Sequence, residues 1–128
     1  MINYGFKKTL DMPFDAAVAA AMEKLKDHGF GVLTTIDIQD KLKEKLGVDY
    51  HRYTILGACH PPSAHKALLA EPDIGLMLPC NVILYEQGAG TVLAAIKPSA
   101  AMSMIDNPSL WDTARDVEAK LQEFFDAM

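Results

Sequence analysis

Hydrophobic and polar positions along this chain switch between a period of two and a helical period, and the switches mark its elements. Ile2, Tyr4, Phe6 and Leu10 fall on one side of the first segment, with Asn3, Gly5, Lys7 and Thr9 on the other. That alternation predicts a half-buried strand, with Lys8 the one misfit on the apolar side. After Pro13, Phe14, Val18, Met22 and Leu25 recur at helical spacing through a run of alanines, and His28 and Gly29 supply a stop. GFGVLTTIDI returns to period two, with Val32, Thr34, Ile36 and Ile38 on one face. QDKLKEKLG predicts a short helix that offers only Leu42 and Leu46 for packing and ends at Gly47. In YTILGAC, Tyr53, Ile55, Gly57 and Cys59 share a strand face.

HPPSAHKALLAEP opens on two prolines, whose fixed φ suits a first helical turn. Asp73 to Leu78 is a short apolar piece, read as strand and stopped by Pro79. CNVILYE and TVLAAIK predict a hairpin around Gln87-Gly88-Ala89-Gly90. Asn107 and Pro108 then open a helix in which Leu110, Ala114, Val117, Leu121, Phe124 and Met128 follow at alternating spacings of four and three. The order β-α-β-α-β-α-β-β-β-α has consecutive strands without crossover helices. It predicts an α+β fold, a single domain over residues 1–128, with a mainly antiparallel sheet carrying the N-terminal and C-terminal helices. In CNVILYE both faces are apolar, Val82 and Leu84 against Ile83 and Tyr85, so the side away from the helices needs cover as well. A homodimer contact is the economical expectation, with a third helix or a loop as the alternative.

Composition narrows the function classes. Half of the 128 residues are hydrophobic and 23% are charged, which excludes disorder and low-complexity arrays. A formal charge of −5 argues against nucleic acid or an anionic membrane surface as partner. The apolar run from Leu76 to Tyr85 is about half a membrane span. Two cysteines make no disulfide framework, and MINYGFKK has no basic segment followed by an apolar one. Free thiols without an export signal or a membrane helix point to the cytoplasm.

The stretches GFGVLTTIDI, KEKLGVDYHRYTILGACHPPSAHKAL and DIGLMLPCNVILYE, with the terminal helix, resemble the domain of unknown function 302 family nearly from end to end. The resemblance implies an α+β domain similar to the TATA-binding-protein fold, usually a dimer. It implies no DNA binding, because fold alone does not transfer function, and it assigns neither an enzyme activity nor a cofactor. The family pattern is intact at Cys59, Pro61, Pro79, Cys80 and Asn81. It departs at Thr35, where an acidic residue is common, and at His60, where Asn is common.

Cys59 directly precedes a helix start at His60-Pro61-Pro62, where unpaired N–H groups favour a thiolate. That predicts a lowered Cys59 pKa and redox or sulfur-transfer chemistry, with Cys80 as slower partner or pocket wall. Against it, free cysteine is among the most buried residue types. Cys59, His60, His65 and Cys80 carry zinc or copper donors, yet their spacing matches no standard metal motif, so no metal is assigned. Glu86 ends an apolar strand and is the carboxylate expected to show burial, a strand-end charge in solvent being the plainer reading. Lys41, Lys43, Lys45, Arg52 and Lys66 form a local basic excess best explained as a solvated face. No GxSxG motif or Gly-rich phosphate loop is present. The leading expectation is a small-ligand-binding dimer whose pocket lies near Cys59, His60, Cys80, Asn81 and Glu86. The alternatives are a thiol-dependent protein using Cys59 and a structural interaction module without ligand.

Overall fold

The strands β1 (Gly5–Leu10), β2 (Gly31–Asp37), β3 (Tyr53–Cys59), β4 (Cys80–Gln87) and β5 (Gly90–Ile96) form one antiparallel sheet in the order β1-β5-β4-β3-β2. They are joined by helices α1 (Phe14–Asp27), α2 (Ile38–Leu46), α3 (Pro61–Ala70), α4 (Pro98–Ala101) and α5 (Pro108–Ala127), with a 3₁₀ helix at Pro72–Met77. This computed structural model describes residues 2–128. The α+β class and the antiparallel sheet are as the pattern of periods predicts. None of the described helices is long and apolar enough to cross a membrane.

The inner face of the sheet carries Leu56, Ala58, Val82, Leu84, Leu93 and Ala95 against α1 and α5. The terminal helix buries Leu110, Ala114, Val117, Leu121 and Phe124, the stripe its spacing predicts. On α1 the buried stripe is Phe14, Ala17, Ala21 and Leu25, whereas Met22 stays 39% exposed. Alanines on that stripe let the helix approach the sheet closely, which leaves the bulky Met22 outside. Lys8 stands on the inner face, and its ammonium donates 2.5 Å to the carbonyl of Phe125 and lies over the Phe125 ring. A cation at the carboxyl end of a helix meets unpaired carbonyls and the negative end of the dipole, so the misfit is satisfied there.

Four expectations change. The alternation in the first segment holds only from Phe6, because the chain bends at residues 3–4 and turns Ile2 and Tyr4 toward the outer face. In β2 the pairing shifts between Val32 and Thr34, so Leu33 is an extra residue and Val32 and Thr34 point to opposite faces. Ile38 belongs to α2, whose N-cap Asp37 accepts from Asp40 N at 3.0 Å. The Asp73–Leu78 piece is no strand: Pro72 opens a 3₁₀ turn that buries Ile74 alone and leaves Leu76 90% exposed.

Apolar burial falls into two groups. The larger lies between the sheet, α1 and the second half of α5; the smaller joins Ala67, Ile74, Met102, Leu110 and Ala114 under α3 and α4. Helix α5 runs through both. Asn107 occupies its N-cap position but does not cap: its side-chain amide donates to Ala70 O and Glu71 Oε1 and ties α5 to the end of α3.

None of the described helices lines the outer face over β4 and β5 (Ile83, Tyr85, Ala94). It is flanked by Ile2 and Tyr4 on one side and by Tyr50 and His51 on the other.

Candidate functional site

A cavity of about 280 Å³ opens where the two apolar groups meet. Ala58, Cys80 and Val117 of the larger group and Ala67, Met102 and Ala114 of the smaller line it. Cys59, His60 and Ser63 form its polar corner. Each comes from an element end. Register pairs Ala58 with Cys80, which brings the last residue of β3 beside the first of β4. Pro61 and Pro62 then start α3 at once, carrying Ser63 back over His60. His60 Nδ1 and Ser63 Oγ share a hydrogen bond of 2.7 Å. On the opposite face of the sheet Gly57 has no side chain, and Thr34 and the ring of Pro79 close over it.

Electrostatics at this corner favour neutral groups. Burial, with Lys120 and Lys66 nearby, holds the His60 pKa below its ordinary value. Burial pushes the Cys59 thiol up, the reverse of the expectation drawn from the helix start. The helix start does little to offset this burial, because proline has no N–H and Pro61 and Pro62 leave the first turn of α3 two donors short. Cys80 is buried, and burial together with Cys59 pushes its pKa up to about 11. Both sulfurs are free thiols. Protonated thiols are poor nucleophiles. Native Cys59 is therefore expected to alkylate slowly at neutral pH and to accelerate only above the free-thiol value of about 8.5. The check is the labelling rate against pH in a Cys80→Ala variant; fast labelling at pH 6 would mean that the thiolate is stabilised after all.

The structure divides the other sequence candidates. Cys59, His60 and Cys80 meet at the cavity, but His65 is exposed and does not line it. Among the described residues no three His, Cys, Asp or Glu side chains gather as a metal site. Asn81 is paired with Gly57 on the outer face, one position out of phase with Cys80, and lines the outer groove; at the head of β4 it also borders a smaller hollow with Pro79, Cys80 and Met102. Glu86 is exposed, six residues beyond Cys80 and hence about 20 Å along β4. The strand passes the end of the core there, and Glu86 takes no part in the cavity. Of the basic residues, Arg52 pairs with Asp15 at 2.6 Å and lies over the Phe14 ring, while Lys41 and Lys43 pair with Glu44 and Asp49. That hydrogen-bonded guanidinium holds the Asp15 carboxyl below the usual range.

The groove holding Asn81 is larger, about 520 Å³, and no sequence motif announces it. All four tyrosines of the chain, Tyr4, Tyr50, Tyr53 and Tyr85, line it. The available signal is the pair of strand positions Tyr53 and Tyr85, which register places opposite one another on the outer face.

Comparison with known proteins agrees with the fold. The family model for Domain of unknown function DUF302 matches residues 6–128. The fold is similar to the crystal structure of an uncharacterized conserved DUF302 protein from Bacillus stearothermophilus. The TM-score is 0.90 at 28% sequence identity, over 98% of each chain. No curated protein matches the chain.

Proposed function

This chain belongs to the DUF302 family, and we propose that it binds a small, largely apolar ligand in the cavity beside Cys59 and Cys80. The observation that carries this reading is the cavity's build: apolar walls from both core groups and one polar corner made by His60, Ser63 and the two thiols. Ligand sites are commonly concave and mostly apolar, with few converging polar groups. An apolar cavity of about 150 Å³ already holds benzene, so this one has room for a bicyclic molecule. A thiol-redox role has less support, because burial raises the pKa of both thiols. Free thiols suit a reducing compartment, which supports a cytoplasmic setting.

Indole is a suitable probe. Titration is expected to give saturable NMR shifts at Ala58, Ala67 and Val117, and Ala64→Phe, which fills the cavity from its half-buried rim, is expected to abolish them. Shifts that are absent or scattered over the surface would sink the reading.

We also propose a homodimer, seated on the β2 edge and not on the outer face of β4. That outer face is partly covered by the chain's own Tyr4 and Tyr50–His51. The two edges of the sheet differ. Lys7 and Lys8 guard β1, whereas β2 carries no charge from Gly31 to Ile36 and exposes Leu33 by 65% and Ile36 by 40%. An uncharged apolar edge is a template for pairing with another strand. Sedimentation at tens of micromolar, roughly the range in which stable oligomers persist, is expected to show a dimer that Ile36→Lys converts to monomer. A wild-type monomer there removes the idea.

A further inference from the structure

The outer groove is a second built site, independent of the cavity. Its floor is Ala94 with Ile83, and small Ala94 lies between Lys7 of β1 and Ile83 of β4 in register. β5 separates β1 from β4, so the two walls rise from backbones about 9–10 Å apart. One wall is aromatic. Tyr53 and Tyr85 stack with centroids 5.3 Å apart and planes 7° from parallel. His51 lies 5.8 Å from Tyr85, with Tyr50 4.0 Å beyond it. The other wall carries Tyr4 and Lys7, whose ammonium stands 6.0 Å from the centre of the Tyr85 ring. Tyr85 thus has Tyr53 on one side and the slot with its cation on the other.

Charge separates this groove from the rest of the surface. The chain has 17 acidic and 12 basic residues. Among the described residues that line the groove there is one lysine, one histidine and no Asp or Glu. An acidic protein that keeps every carboxylate out of one aromatic slot and sets a lysine at its wall is complementary to an anion. Tyrosine rings offer broad apolar contact at little entropic cost and hydroxyls for orientation. We infer that the groove is a binding site for a small planar aromatic molecule bearing an anionic group, its ring along the Tyr85–Tyr53 wall and its anion at Lys7. The volume lies within the usual range for small-molecule sites, about 300–1,000 Å³.

Calorimetry with naphthalene-2-carboxylate and the neutral naphthalene-2-methanol tests this. Lys7→Met, at an exposed position, is expected to weaken the carboxylate about fivefold, the upper range for an exposed ion pair, and to leave the alcohol unchanged. Ala94→Leu, which raises the floor, is expected to abolish both. Ala64→Phe, which blocks only the other cavity, is expected to change neither. NMR shifts from the carboxylate should map to Lys7, Tyr85 and Ala94, which keeps the test valid if Ala94→Leu folds poorly. Indifference to Lys7→Met overturns the inference. So does loss of binding in Ala64→Phe, which would place the molecule in the other cavity. Absence of binding at millimolar probe overturns it as well, and a dimer dissociated by Tyr85→Ala would then assign the groove to a second copy.

Discussion

Phe124→Ala is expected to destabilise the protein by about 3–5 kcal/mol, the usual cost of emptying a phenylalanine-sized hole in a close-packed core. Phe124 is fully buried, and it sits with Val117 and Leu121 where α5 meets the inner face of the sheet and α1. Three layers converge on it, so little can move to refill the space. A domain of this size typically has a net stability of about 5–15 kcal/mol, so a single truncation there consumes a large share. The measurement is the denaturant midpoint at constant slope. Glu123→Ala, one residue away and exposed, is the control and should stay within about 0.5 kcal/mol. A loss below about 1 kcal/mol at Phe124 would mean that the helix is peripheral to the sheet.

Gly57→Ala is expected to cost about 1–3 kcal/mol by overpacking, although it adds one methyl group in a strand. A Cβ at this buried position would meet Thr34 Oγ1 and would lie 2.7 Å from Pro79 Cγ. The threonine hydroxyl can rotate away; the proline ring has no such freedom. Because Pro79 leads directly into Cys80 at the cavity wall, the displacement should also weaken indole binding. Replacing glycine in an unstrained strand gains about 0.4–1 kcal/mol through the unfolded chain. A neutral or stabilised Gly57→Ala protein would therefore show that Pro79 yields.

Local signals carried most of the fold. The four-three spacing on α5 survives because a helix that crosses two core groups needs the same stripe throughout. The hairpin reading holds because Gly88, at φ +60°, supplies a turn conformation that few other residues adopt. Failures occurred where a non-local contact decides. Nothing near Leu33 signals the bulge, which depends on how β2 meets β3. Met22 and Ala21 are both plausible core residues until the distance from helix to sheet selects the smaller.

The candidate site was half legible. Cys59, His60 and Cys80 do converge, since strand ends in an antiparallel pair must meet. Asn81 borders a hollow with Cys80 but stays out of the cavity of Cys59 and His60, because adjacent strand residues face opposite sides. The reactivity expected of Cys59 rests on the donors of a helix start; burial raises the thiol pKa instead, and the two prolines at that start have no N–H to offset it. The tyrosine groove was invisible for another reason: its walls lie on β1, β3 and β4, and only the strand order assembles them.

Lys7 and Lys8 are neighbours on β1 that serve opposite faces, one at the groove and one at the end of α5. Slide β1 by a single residue against β5 and the two ammonium groups would exchange faces, leaving one lysine on each side as before, so the cations discriminate poorly between the correct alignment and its nearest error. Phe6 and Leu10 carry that discrimination. In the shifted alignment both would swing out toward water, while Gly5 and Thr9 would occupy their places over the core. Each such side chain is worth about 1.5–3 kcal/mol when buried. The fidelity of this edge therefore rests on two apolar side chains at either end of a short strand, while the lysines between them keep foreign strands away.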